Sequence, residues 1–181
     1  MFAKQVLFIL ALVVTGCGPT ASTETETENG APNATPLAGG NNTQTVEGSG
    51  FSLEVPADWN VQSLPSGVGA FSPLDTNNPN PVAPLQVTAS IQPTFSLTSQ
   101  DAMASLLKNH KSSFGDVESE AQTTVSGRGA TKLVMTGDRR TVNVYVPLDA
   151  GLLLVQCFGP DDRVVAMMPQ IDAIIASIKL K

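Results

Sequence analysis

The stretch from residue 117 to residue 158 constrains the fold more than any other part of the chain. Residues 117–125 alternate, with Val117, Ser119, Ala121, Thr123 and Val125 on one side and Glu118, Glu120, Gln122 and Thr124 on the other. This is the period-2 mark of a half-buried strand, because successive side chains leave the backbone on opposite faces. Residues 130–136 repeat the pattern, Gly137-Asp138 supplies a hairpin turn, and residues 141–146 alternate strictly. Residues 152–158, LLLVQCF, are more continuously apolar, as befits a central strand covered on both faces. Hairpin connections and the absence of β-α-β alternation point to an antiparallel sheet.

Upstream, residues 51–55 alternate, Pro56-Ala57-Asp58 signals a turn, and residues 59–62 alternate again, which predicts a hairpin. Residues 68–71 and 86–92 read as further strands, the latter with Val87, Ala89 and Ile91 on one face. Between them residues 73–84, PLDTNNPNPVAP, form the longest irregular stretch of the domain. Two segments have helical spacing instead. One runs over residues 98–114 with the stripe Ala102, Met103, Leu106, Leu107, His110 and Phe114. Thr98-Ser99-Gln100-Asp101 resembles a capping box with Asp at its third position, Leu97 is placed to staple against Ala102, and Gly115 is a C-terminal stop. The other covers residues 162–178, with Ile171, Ile174, Ile175 and Ile178 on its buried face and Pro169 either kinking it or starting its regular part. Strands, helix, strands, helix make an α+β fold with two main helices.

The amino-terminal region is of another kind. Lys4 precedes an apolar run over residues 6–14, shorter than the roughly 20 residues that span a bilayer and of signal-peptide length. It ends at Val14-Thr15-Gly16-Cys17, which resembles the bacterial lipobox. Small residues there admit the signal peptidase, and the cysteine thiol receives a diacylglyceryl thioether. A further acyl chain such as palmitate on the new amino terminus makes anchorage firm, since each buried methylene contributes about 0.8 kcal/mol. Cys17 is therefore the expected lipid-attachment site and first residue of the mature chain. Gly18, in place of Asp, favours the outer membrane where an envelope has two.

Residues 18–49 hold no aromatic residue, and Leu37 and Val46 are their only large aliphatics. Such a segment cannot bury enough apolar surface to offset its ordering entropy, so it reads as a disordered tether averaging about 30 Å end to end. The expected organisation is a signal peptide over residues 1–16, the lipidated cysteine and tether over 17–49, and a folded domain over 50–181. The net charge of −6 divides as +1 (Lys4), −4 (Glu24, Glu26, Glu28 and Glu47) and −3 in the domain, where 9 Lys and Arg face 12 Asp and Glu. No basic stripe marks a nucleic-acid surface.

Phe51-Ser52-Leu53-Glu54-Val55-Pro56-Ala57-Asp58-Trp59 resembles the opening of PsbP-like domains, an apolar strand running into a Pro-x-x-Trp turn. Gly129-Ala130 before a strand, and the stretch from Gly159-Pro160-Asp161-Asp162 to Ile178-Lys179, are similar to that family's middle and closing helix. The resemblance implies an α-β-α sandwich with a central antiparallel sheet. It also implies mainly protein-binding roles without a shared catalytic centre, and no family site residue carries over.

Candidate chemistry is sparse. His110 lies on an apolar helical stripe and reads as structural, and no Gly-x-Ser-x-Gly nucleophile elbow occurs. Cys157, inside LLLVQCF, reads as a buried, inert thiol. Asp161 and Asp162 fit a helix N-terminus better than a metal site. Asp75-Thr76-Asn77-Asn78 lacks the acidic density of a calcium loop. Trp59 is expected to anchor the core, Arg139-Arg140 to form a solvated edge, and the 73–84 loop to rank first as a contact surface. The expectation is thus a non-enzymatic envelope lipoprotein without cofactor or metal, held on the membrane by Cys17 and binding another envelope protein. A small-ligand or metal-binding module, which requires a polar-lined pocket, is the alternative.

Overall fold

In a computed structural model, residues 42–74, 84–94, 97–113, 115–149 and 151–181 are described. Cys17, the greater part of the tether, Phe114 and the loop residues 75–83 lie outside them. The strands are β1 (Thr43–Gly48), β2 (Phe51–Pro56), β3 (Asn60–Leu64), β4 (Gly67–Phe71), β5 (Gln86–Gln92), β6 (Asp116–Val125), β7 (Arg128–Thr136), β8 (Arg140–Leu148), β9 (Gly151–Gly159) and β10 (Lys179–Leu180). The helices are α1 (Ser99–Ser113), α2 (Asp161–Ala166) and α3 (Met168–Ala176). The α+β class is as expected.

The strands form a seven-stranded antiparallel sheet, ordered β3-β4-β5-β9-β8-β7-β6, and a three-stranded one, β1-β2-β10. The strand predicted to be central, now β9, is fourth of the seven. Its register with β8 explains its composition: Val144 faces Val155, Val142 faces Cys157, and Tyr145 faces Leu154. Odd and even positions serve two cores. One face contributes Val87, Ala89, Val142, Val144, Val155 and Cys157 to a core shared with Phe51, Leu53, Val55, Val164, Ile171 and Ile174. The other contributes Leu133, Met135, Tyr145, Leu152 and Leu154, against which Met103, Leu106 and Leu107 of α1 pack. One face of the large sheet therefore meets α2, α3 and the small sheet, and the other meets α1.

The hairpin expected between residues 51–55 and 59–62 does not form. Both edges of β2 are taken, by β1 and by β10, so β3 joins the other sheet beside β4. The Pro56 turn, closed by Trp59 N–H donating to Pro56 O at 3.1 Å, makes the transfer. The domain also begins earlier than Gly50. Residues 43–48, expected in the tether, are β1, paired with β2 from Thr43↔Pro56 to Gly48↔Phe51. Their lone large aliphatic, Val46, is only 4% exposed. Gln44 Nε2 donates to Trp59 O at 2.7 Å and to Pro56 O at 3.2 Å, fastening β1 to the turn.

The second predicted helix is two, broken at Met167 (φ −98°, ψ 8°), with Pro169 in the first turn of α3. Proline has no N–H to donate and suits a helix start. In α1 the capping box is half built. Asp101 N–H donates to Thr98 Oγ1 at 3.1 Å, while the Thr98 hydroxyl donates to the Asp101 carboxylate at 2.6 Å. Leu97 is 53% exposed and makes no buried staple. Gly115 has φ +107°, and a Cβ there would stand 2.2 Å from Thr136 O, so glycine is required where α1 hands over to β6. Among the described residues no helix is long and apolar enough to cross a membrane.

Candidate functional groove

The antiparallel register sets side chains in rows across the sheet face on which α1 sits. One row runs Asn60, Phe71, Gln86, Phe158, Thr141. The next runs Gln62, Gly69, Thr88, Gln156, Asn143, and a third Leu64, Gly67, Ser90, Leu154, Tyr145. Directly paired residues share a face, so these side chains stand together. The packing of α1 is on β8 and β9, and no described element is packed over the β3-β4-β5 part of the face.

Where α1 ends, the face deepens into a groove of about 730 Å³. Thr141, Asn143, Gln156 and Phe158 line it, together with Ser113 and Gly115 at the end of α1 and Gly137, Asp138 and Arg139 of the β7-β8 turn. Asn143 is 2% exposed, a buried amide in an otherwise apolar strand. Its Oδ1 accepts from Gln156 Nε2 at 3.0 Å. Its Nδ2 makes only long contacts, 3.4 Å to Thr141 Oγ1 and 3.9 Å to Met135 Sδ. The pair fixes Gln156 so that its remaining N–H and its carbonyl oxygen are left for other partners. None of the four sheet residues is ionisable.

A second concavity, about 530 Å³, lies by the Pro56–Trp59 turn and the start of the 73–84 loop. Arg163 Nη2 donates to Ser72 Oγ at 3.0 Å and to Pro73 O at 2.8 Å. Its Nη1 is buried and has no hydrogen-bond partner among the described residues. Trp59, 4% exposed, is the core anchor expected of it and forms part of the wall. The loop ranked first as a contact surface falls mostly outside the described residues, so only its two ends can be placed here.

The residues with reactive chemistry are each spent on structure. His110 Nδ1 lies 2.5 Å from the Tyr145 hydroxyl under α1. Desolvation lowers the imidazole pKa, and desolvation, helped by the Glu120 charge, raises that of the phenol, so burial favours the neutral form of each. Cys157 is fully buried, and desolvation pushes its thiol up to about 12. Asp162 Oδ1 accepts from Arg163 N–H at 2.9 Å, at the helix start as expected. Asp161 instead holds Arg140, accepting from its Nε at 2.9 Å. Arg140 also pairs with Glu118 and its side chain is only 12% exposed, so the solvated edge expected for Arg139-Arg140 holds for the exposed Arg139 and not for Arg140. Arg140 ties β8 to β6 and α2, and Arg139 stands at the groove. Among the described residues no group of three or more His, Cys, Asp or Glu is arranged to hold a metal.

Asn143 and Gln156 were not singled out from the sequence. Their signal was present as two amides interrupting apolar strands, but only the pairing of β8 with β9 brings them together.

No family model matches the chain, and no curated protein matches it. Solved structures do. The solution structure of cyanobacterial PsbP (CyanoP) from Synechocystis is similar at a TM-score of 0.51 and 15% identity, covering 84% of this chain and 100% of that one. LpqN of Mycobacterium tuberculosis, described as involved in cell envelope biogenesis, gives a TM-score of 0.49 at 17% identity over 77% of this chain and 90% of that one. A protein of unknown function from Pseudomonas aeruginosa gives 0.47 at 14% identity over 72% and 92%. The first of these establishes the fold of the domain as PsbP-like.

Proposed function

We propose that the chain is a lipid-anchored protein of the cell envelope, and that its PsbP-like domain, an α-β-α sandwich, binds another envelope component without transforming it. The anchor rests on the order Lys4, apolar run, Val14-Thr15-Gly16-Cys17. The binding role rests on one observation above others: the groove over Thr141, Asn143, Gln156 and Phe158 offers fixed hydrogen-bonding groups and an aromatic ring to something outside the domain. The chain's reactive groups lie elsewhere, His110 against Tyr145 and Cys157 in the core.

Two measurements test the two halves. Intact mass of the membrane-extracted protein is expected to show a chain starting at Cys17 with its lipid, and Cys17→Ser is expected to release the domain from the membrane. An unmodified Cys17 thiol refutes the anchor. Benzoylphenylalanine in place of Arg139, at the groove, is expected on irradiation of cells to give an adduct with an envelope component. The same group in place of Asp172, an exposed residue of α3, is expected to give none. Equal capture from both positions, or none from either, refutes the binding role.

A further inference from the structure

We propose that the groove and the adjoining open sheet face bind an uncharged saccharide chain, a proposal that rests on the reading of the domain as a binding module. The cross-strand rows from β3 to β8 contain no Asp, Glu, Lys or Arg, although residues 43–181 carry 22 of them, 9 basic and 13 acidic. Amide and hydroxyl groups replace them: Gln62, Gln86, Thr88 and Gln156. An amide offers a donor and an acceptor a short distance apart, which is what a pair of adjacent sugar hydroxyls requires. Among the described residues none of these four side chains is used up. Gln156 makes one bond through its Nε2, to Asn143, and no side-chain bond is formed by Gln62, Gln86 or Thr88.

The apolar parts fit the same ligand. Phe158 lines the groove, and Phe71 lies along the face over Gly69, whose Cβ would stand 3.3 Å from the Phe71 ring. Aromatic faces pack against the C–H face of a sugar ring. The Phe71 ring occupies the space that Gly69 leaves. Other ligand classes fit less well. An anion would need cations in the floor, and the one arginine at the groove, Arg139, stands beside Asp138. A lipid chain would desolvate the Asn143–Gln156 pair without replacing its hydrogen bonds. An extended peptide adds to a sheet through free backbone groups at an edge, which on this side is β3, whereas the groove lies over β8 and β9, inner strands whose backbone is already paired.

The test uses the full chain in phosphatidylcholine nanodiscs and saturation-transfer difference NMR. The probes are chitotriose and maltotriose, both neutral, and trigalacturonate, which is anionic. Magnetisation is expected to reach ring protons of a neutral trisaccharide and not the anionic one. Gln156→Ala is expected to weaken binding about tenfold, the size of one or two lost hydrogen bonds. Thr88→Val, which keeps the side-chain shape on a different strand, is expected to weaken it in the same direction. Absence of transfer to both neutral probes, transfer unchanged in both variants, or a preference for trigalacturonate overturns the proposal. Capture of a polypeptide from position 139 together with absent saccharide transfer would leave the binding module standing and remove the saccharide. Absence of any adduct would remove the module itself.

Discussion

Gln44→Ala is the substitution that most directly tests where the domain begins. Gln44 sits in a segment with tether-like composition, yet its Nε2 donates at 2.7 Å to Trp59 O and at 3.2 Å to Pro56 O. Its amide has two protons, so two bonds are lost. At about 1 kcal/mol net for each, the expected loss is about 1–2 kcal/mol. For a unit of this size that corresponds to a fall in Tm of about 3–6 °C. Val46→Ala removes two methyl-sized groups from a residue 4% exposed and is expected to cost about 1.5–2.5 kcal/mol. Thr45→Ala, on the exposed side of the same strand, is the control and is expected to stay within about 0.5 kcal/mol of the parent. Urea unfolding followed by emission of the single tryptophan reads all three, since Trp59 is buried and lies at the point of attachment. If Gln44→Ala and Val46→Ala are as silent as Thr45→Ala, residues 43–48 are tether after all and the reasoning fails.

Further outcomes are expected elsewhere in the domain. Cys157 is expected to stay unlabelled by iodoacetamide in the folded protein and to react on unfolding, since its thiol is buried and pushed up to about 12; rapid native labelling contradicts its burial. His110 has a folded pKa below its ordinary 6.5 because burial disfavours the imidazolium. The unfolded chain therefore takes up the proton first, and stability is expected to fall as pH drops from 6.5 toward the folded value, with a slope of less than one proton. His110→Gln is expected to flatten that slope, and an unchanged profile would place the titration elsewhere. Gly115→Ala forces a side chain onto φ +107° and against Thr136 O; a loss of about 1–3 kcal/mol is expected in chemical denaturation, and a neutral result would refute the strained turn. Ile174→Ala, at a fully buried position, is expected to cost about 2–5 kcal/mol in the same measurement.

Where local pattern and tertiary pairing agree, the sequence was readable. The strands from Arg128 onward, the central place of LLLVQCF, the α1 stripe and the isoleucine face of α3 all follow from periodicity, because each turns its apolar side to a core. Cys157 is in the core for the same reason, and Trp59 is there as its place after the Pro56 turn led one to expect. β6 is a strand as its alternation predicts but not a half-buried one, since it is the outer strand of the sheet, buries only Val125 and carries a bulge between Val117 and Ser119. What periodicity cannot reveal is which strand lies beside which. β2 and β3 are consecutive and turn-linked, yet β2 takes β1 and β10 as neighbours, partners at the two ends of the domain. β1 has one large aliphatic residue in six and gains its order from β2, so composition alone reads it as tether. The groove was hidden for a related reason: Asn143 and Gln156 are 13 residues apart and meet only through the register of β8 and β9.

The earlier start of the domain has a mechanical consequence. Tension applied through the chain ahead of Asn42 enters the domain through β1, not through the large sheet. The first bonds to carry it are Ala57 N–H to Asn42 O, at 3.0 Å, and the Gln44 amide to the Pro56–Trp59 turn. A domain held by such a leash while engaged at its groove would yield first by shedding a six-residue strand. That lengthens the leash and leaves the seven strands that carry the groove intact.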